Sequence, residues 1–248
     1  MIFRFPLIFV MVAIANMALS NCPTSFNSNA ENTFGVVVCS SPSISSKYHL
    51  HAEMVLRKLL DYDNDSRPDN KKVLKEMLAN RATFLILRDE DELDLYENTL
   101  EKYFSFTVVY KDEMVLDQAL EFDASIEEGL HLVTAEGYSK AYPESFGEFK
   151  GSAIAAFLDV ARGGYFEDVP IEYPSEAYFT YYDETCDYAC QITEFLYWAI
   201  TTLRGQQRYN WRDSEIEQEW RPESSAKLKK IAPSLVKFLS KSEFSILY

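Results

Sequence analysis

Residues 122–138 read FDASIEEGLHLVTAEGY, and the reading of this run decides the rest of the chain. Phe122, Ile126, Leu130 and Val133 recur at the three- and four-residue spacing of one helix face, so the run reads as an amphipathic helix with that stripe toward a core. Glu127, His131, Thr134 and Tyr138 fall on the adjacent stripe. Residues four apart on a helix are neighbours, so Glu127 and His131 can meet one ion from a single face, with Glu128 beside them. The same pattern also suits a histidine at the edge of a core, paired with a carboxylate one turn away.

A second run weights the choice. ITEFLYWAI, residues 192–200, carries one charged residue, Glu194, in a nearly all-apolar helical segment. A helix apolar all round is buried, and a buried carboxylate needs a cation, a metal or several hydrogen bonds. Arg162, Arg204 or a tyrosine hydroxyl could be that partner. So could a metal shared with Glu127 and His131, an oxygen-rich ligand set with one nitrogen that zinc accepts. Glu128 then stands where a general base activates a metal-bound water.

Around these two runs the chain, 248 residues in all, reads as one domain over residues 21–248. Residues 1–20 combine an early cation, Arg4, with a short apolar core and the small-x-small pattern Ala18-Leu19-Ser20, which predicts a cleaved signal peptide and a secreted, extracellular protein. Losing Arg4 with that peptide takes the formal charge from −15 to about −16. Such acidity argues against nucleic acid and anionic membranes as partners, and no later stretch is long enough to span a bilayer. A protein, peptide or glycan partner stays open. With 47% apolar and 15% aromatic residues there is ample material for a core.

Strands are expected at FGVVVC (34–39), ATFLIL (82–87) and FTVVY (106–110), and helices at 47–61, 71–80, 89–104, 122–138, 151–162 and 190–205, with a helical C-terminal third. Residues 21–33 read as a polar lead-in. The result is an α+β, helix-dominated fold with a few short strands. Cys22, Cys39, Cys186 and Cys190 form an even set in an oxidising compartment. The expected pairs are Cys22–Cys39, pinning the N-terminal segment to the first strand, and Cys186–Cys190, closing a turn before a helix.

Between two of the helices lies DYDNDSRPDN, residues 61–70. Asp61, Asp63, Asp65 and Asp69 occupy positions 1, 3, 5 and 9 of an EF-hand-type calcium loop, with Ser66 where that loop prefers Gly and Lys72 where it prefers Glu. Carboxylates this close repel unless a cation neutralises them, which makes calcium the candidate ion. A solvated acidic turn capping a helix is the plainer reading. His49 and His51, on the first helix, could lend a ligand in space or simply pack. Tyr173, Tyr178, Tyr181 and Tyr182 could line a peptide or sugar cleft or cover a core.

The pairing of EEGLH with a later TEFLYWA helix resembles gluzincin metallopeptidases, in particular the catalytic domain of the anthrax lethal factor type. There an H-E-x-x-H helix precedes a helix with a glutamate ligand in an aromatic-rich run. The resemblance implies a zincin-like fold, with Glu128 as general base and His131 and Glu194 as zinc ligands. Glu127 stands in place of the first histidine, and Tyr188 lies near the place of the family's tyrosine. HAEMVLRKLLDYDNDSRPDN, EEGLHLVTAEGYSKAYPESFG, LDVARGGYF and DETCDYACQITEFLYWAITT also resemble a family of secreted eukaryotic proteins of unassigned function, which implies a shared fold. Two function classes follow. One is a secreted zincin-like metalloprotein, a metal-dependent, peptidase-like hydrolase with an altered zinc site. The other is a non-catalytic, calcium-stabilised binding or structural protein on the same scaffold.

Overall fold

The computed structural model describes residues 22–100, 105–116, 122–207 and 212–247. The expected signal peptide, residues 1–20, lies outside them. A four-stranded mixed sheet is built from β1 (Asn27–Asn29), β2 (Val37–Ser40), β3 (Thr83–Leu87) and β4 (Phe106–Tyr110), in that spatial order. β2, β3 and β4 run parallel and β1 pairs antiparallel with β2. Parallel strands are covered on both faces and read as continuous apolar runs, as β3 does with TFLIL.

The period of two sends alternate side chains to opposite cores. Val38, Phe84, Ile86 and Val109 join the large core, while Val37, Cys39, Leu85 and Leu87 join a smaller one with Phe26 and Leu100. α1 (Ser46–Leu60) and α2 (Lys71–Ala79) connect β2 to β3, and α3 (Glu90–Leu100) leads from β3 toward β4. Then come α4 (Ala124–Val133), α5 (Ser139–Ala141), α6 (Pro143–Phe146), α7 (Ala153–Ala161), α8 (Tyr188–Leu203), α9 (Asp213–Ile216), α10 (Ser225–Ile231) and α11 (Pro233–Leu239). This is the α+β class expected. Both disulfides form as paired above, Cys22–Cys39 with Cα atoms 5.8 Å apart and Cys186–Cys190 with 5.2 Å. Among the described residues no helix is long and apolar enough to cross a membrane.

Two local features depart from the sequence reading. The polar lead-in contributes β1, an edge strand of sequence NSN with no apolar alternation to announce it. It is tied down by the disulfide at Cys22 and by its ladder with β2. The helix expected over 122–138 is α-helical only to Val133 and widens into a π-type turn over Thr134–Tyr138. Thr134 Oγ1 donates to the Leu130 and His131 carbonyls at 2.9 and 3.2 Å, a side-chain bond that competes with the regular ladder. π-turns of this kind are often found at functional sites.

Candidate metal centre

The position of α4 is fixed from its first residue. Asp123, fully buried, caps the helix by accepting from the Ser125 amide at 3.1 Å and also accepts from the Val115 amide at 3.2 Å. Its other oxygen sits 2.6 Å from His51 Nε2 on α1. His51 therefore anchors the start of α4 rather than joining the metal cluster. His49 is likewise engaged, with Ser40 Oγ at 2.8 Å and Glu53 at 3.0 Å. Gly129 lets α4 approach α1 and β3: a Cβ there would stand 2.8 Å from Leu59 Cδ1. α8 starts on an Asp187 cap that accepts from the Cys190 amide at 2.9 Å, inside the small disulfide loop.

With both helices set, Glu127, His131 and Glu194 converge. One ligand atom from each lies within 4.8 Å of the other two. His131 Nε2 is 3.5 Å from Glu194 Oε2, and Nδ1 is 3.8 Å from Glu128 Oε2. His131 and Glu194 are each 9% exposed, and Nε2 is shut off from solvent with no hydrogen-bond partner. A buried ring nitrogen that faces the Glu194 carboxylate without making a hydrogen bond is an unsatisfied polar atom, and a divalent cation between the two is one partner that fits. Neither Arg162 nor Arg204 plays that part. Arg162 donates to Gln191, Asp159 and the Phe166 carbonyl, and Arg204 to the Ile246 carbonyl.

The electrostatics describe a cluster held by protons. Burial pushes the Glu127 carboxyl up to about 7, with the Glu194 and Glu128 charges adding to it and His131 opposing. Burial alone would lower the His131 imidazole, but the Glu128 and Glu194 carboxylates outweigh it and hold the ring well above its ordinary range. A metal would supply the same positive charge and displace those protons.

Several neighbours of the site had no signal in the sequence. The Tyr197 ring meets His131 edge-on at 5.8 Å, and its hydroxyl is 3.4 Å from both Gln207 Nε2 and Arg212 Nη2. Arg212 lies over Phe122 at 4.3 Å and pairs with Glu215 at 3.0 Å. A cleft is lined by Tyr181, Tyr182, Asp183, Gln218 and Glu219. Burial, reinforced by the charges of Glu194, Glu219 and Glu127, raises the Tyr181 phenol well above its usual range. The other tyrosines turn elsewhere. Tyr173 donates to the Tyr181 carbonyl, Tyr178 packs on Trp220, and Tyr188 donates to Asp159 at 3.0 Å.

In the acidic turn, oxygens of Asp61, Asp63 and Asp65 come within 4.8 Å of one another. Asp69 instead accepts from the Tyr62 amide at 2.8 Å. Asp61, 1% exposed, pairs with Arg57 at 2.9 Å and accepts from the Asp65 and Ser66 amides. Burial opposes this carboxylate, yet Arg57 and those amides together hold it below the ordinary range. Ser66 adopts φ 70°, the left-handed conformation for which a calcium loop uses Gly at this position.

No family model matches the chain, and neither the curated proteins nor the solved structures contain a match to it.

Proposed function

We propose that the protein is a secreted, zincin-like metalloprotein that holds zinc through Glu127, His131 and Glu194. The activity such a centre serves is metal-dependent, peptidase-like hydrolysis, with Glu128 the carboxylate available as base. The observation that carries this reading is the buried His131 Nε2, which makes no hydrogen bond and lies 3.5 Å from the Glu194 carboxylate. Zinc binds neutral imidazole and carboxylate oxygen at bond lengths of roughly 2 Å, and two such bonds can be made to one ion between atoms 3.5 Å apart. Tyr181, which lines a cleft with Tyr182, Asp183, Gln218 and Glu219, feels the charges of Glu194 and Glu127, and that cleft offers a peptide or glycan a place to lie. Metal analysis of protein purified without chelator is the test. About one zinc per chain, lost in His131→Ala, supports the reading; a metal-free chain that takes up no zinc on titration rejects it.

A second reading is a non-catalytic, calcium-stabilised binding or structural protein on the same scaffold. It is favoured by the glutamate at position 127, where zinc peptidase helices carry histidine, and by the convergence of Asp61, Asp63 and Asp65. Under this reading millimolar calcium raises the melting temperature of chelated protein, and the zinc-loaded chain cleaves nothing in a peptide library.

A further inference from the structure

Tyr62 gathers two cations on one ring. Lys58 Nζ lies 4.7 Å and the Arg204 guanidinium 4.3 Å from its centroid. Among the described residues neither has a carboxylate oxygen within 4.0 Å, in a chain with 39 acidic and 24 basic residues. Lys58 Nζ donates to the Tyr62 carbonyl. Arg204 Nη2 donates to the Ile246 carbonyl at 2.9 Å, while Nε and Nη1 are closed to solvent and have no acceptor. Asp69, an acid within Arg204's field, lies beyond 4.0 Å and has an oxygen engaged by the Tyr62 amide. Burial pulls the guanidinium below its ordinary pKa. Among the described residues, then, Asp69 acts on Arg204 only at a distance, and a guanidinium with two nitrogens closed to solvent gains from a closer anion.

These two cations line a cavity of ≈ 250 Å³ together with the buried Leu59 and Ile126, the half-buried Val55 and the exposed Met54. His51, which also borders it, is committed to Asp123. A cationic edge over an apolar floor selects an anion with a hydrocarbon body, since inorganic phosphate would leave the floor wet and an alcohol would leave the charges unmet. The volume is below the range of roughly 300–1,000 Å³ for drug-sized ligands and suits a chain of about eight carbons.

We propose that this cavity binds a small monocarboxylate with an apolar tail. Its carboxylate lies against Lys58 Nζ, in the field of Arg204, and its tail runs along Met54, Val55, Leu59 and Ile126. α4 turns Ile126 to this cavity and Glu127 and His131 to the metal centre, so the two sites are separate and this inference does not rest on the proposed zinc chemistry.

Calorimetric titration of the mature protein with sodium octanoate, 1-octanol and octylammonium tests it. Octanoate is expected to bind one to one and to raise the melting temperature. Octanol should bind about tenfold more weakly or less, and octylammonium not at all, because the charged hydrogen bond is what the carboxylate adds. Arg204→Gln risks the fold, so the decisive variant is the exposed Lys58→Met. It keeps the apolar stem and is expected to weaken octanoate roughly tenfold while leaving octanol unchanged. His131→Ala should bind octanoate like the wild type. Absence of octanoate binding, octanol binding as tightly as octanoate, or Lys58→Met without effect would overturn the proposal. So would loss of binding in His131→Ala, which would place the carboxylate at the metal centre.

Discussion

Glu194 Oε2 stands 3.5 Å from His131 Nε2 across the contact of α4 with α8, yet the imidazole makes no hydrogen bond through that nitrogen. On the other edge of the ring, Nδ1 is 3.8 Å from Glu128 Oε2. With Glu127 completing the group, three carboxylates surround one imidazole in a largely buried place. Like charges so arranged repel unless protons or a cation sit among them.

If the cation is zinc, the ligands are not equal. Replacing His131 by Ala removes the one nitrogen and is expected to abolish binding. Replacing Glu127 by His restores the commoner ligand and removes one carboxylate's repulsion, so zinc affinity is expected to rise by about tenfold or more. Competition against a zinc-chelating dye measures both. Affinities of the two variants equal to wild type would remove zinc from this site.

The pH dependence of the chelated protein carries the same signature with a definite sign. The Glu127 carboxyl rises in the fold from 4.5 to about 7. Its contribution to stability is thus fully present below the unfolded value and is lost as pH rises toward about 7. His131, held well above 6.5 in the fold, contributes below that pH and loses its contribution as pH climbs through the folded value. Both act in one direction, so chelated protein should melt lower at pH 8 than at pH 5. Glu127 accounts for something on the order of 3 kcal/mol of this. If the site takes zinc, the metal is expected to reverse the trend, because binding requires the deprotonated ligands. Thermal melts across this range should show the gain from zinc growing with pH, and Glu127→Gln should flatten the chelated curve between about pH 5 and 7. A chelated protein that gains stability toward pH 8 would contradict the assignment.

Gly129, at the centre of EEGLH, is there for the approach of α4 to its neighbours. An added Cβ would meet Leu59 Cδ1 at 2.8 Å and Phe84 Cε1 at 3.7 Å. Overpacking of this kind costs about 1–3 kcal/mol, against roughly 1 kcal/mol gained from helix propensity. Gly129→Ala is therefore expected to destabilise by about 1 kcal/mol. Gly137→Ala, which would meet Val73 Cγ1 at 2.5 Å, should be worse. Urea unfolding measures both, and a stabilised Gly129→Ala would show that Leu59 yields freely.

What the sequence made legible follows from what periodicity encodes. The stripe Phe122, Ile126, Leu130 and Val133 and the lone charge of Glu194 in an apolar helix are local patterns, and the fold places both segments on helices whose site residues meet. The cysteine pairs followed from compartment and spacing. The edge strand at Asn27–Asn29 has no pattern of its own, because its pairing comes from β2. The π-turn at Thr134 depends on side-chain bonds to the backbone that periodicity does not report. His51 as an anchor for Asp123, 72 residues away, and the Tyr197 ring on His131 are matters of tertiary approach. So is the choice at Glu194 between arginine and metal, which no spacing could decide.

Glu128 has two roles open to it, and they separate experimentally. A general base acts on a metal-bound water and leaves metal affinity alone when removed. A carboxylate on the far nitrogen of a ligating imidazole fixes the ring's tautomer and orientation, and its loss lowers metal affinity, typically 10–100-fold. Glu128 Oε2 faces Nδ1, not Nε2, at 3.8 Å, and its side chain is 30% exposed. A shift of a few tenths of an ångström would bring it into hydrogen-bond range of the ring. Glu128→Gln keeps the shape and removes the charge. On the observed geometry it is expected to weaken zinc by roughly tenfold, with the imidazole proton resonances of His131 moving in step. Unchanged zinc affinity, together with loss of any peptide hydrolysis the wild type displays, would instead give Glu128 the base's role and leave His131 oriented by Tyr197 and Glu194.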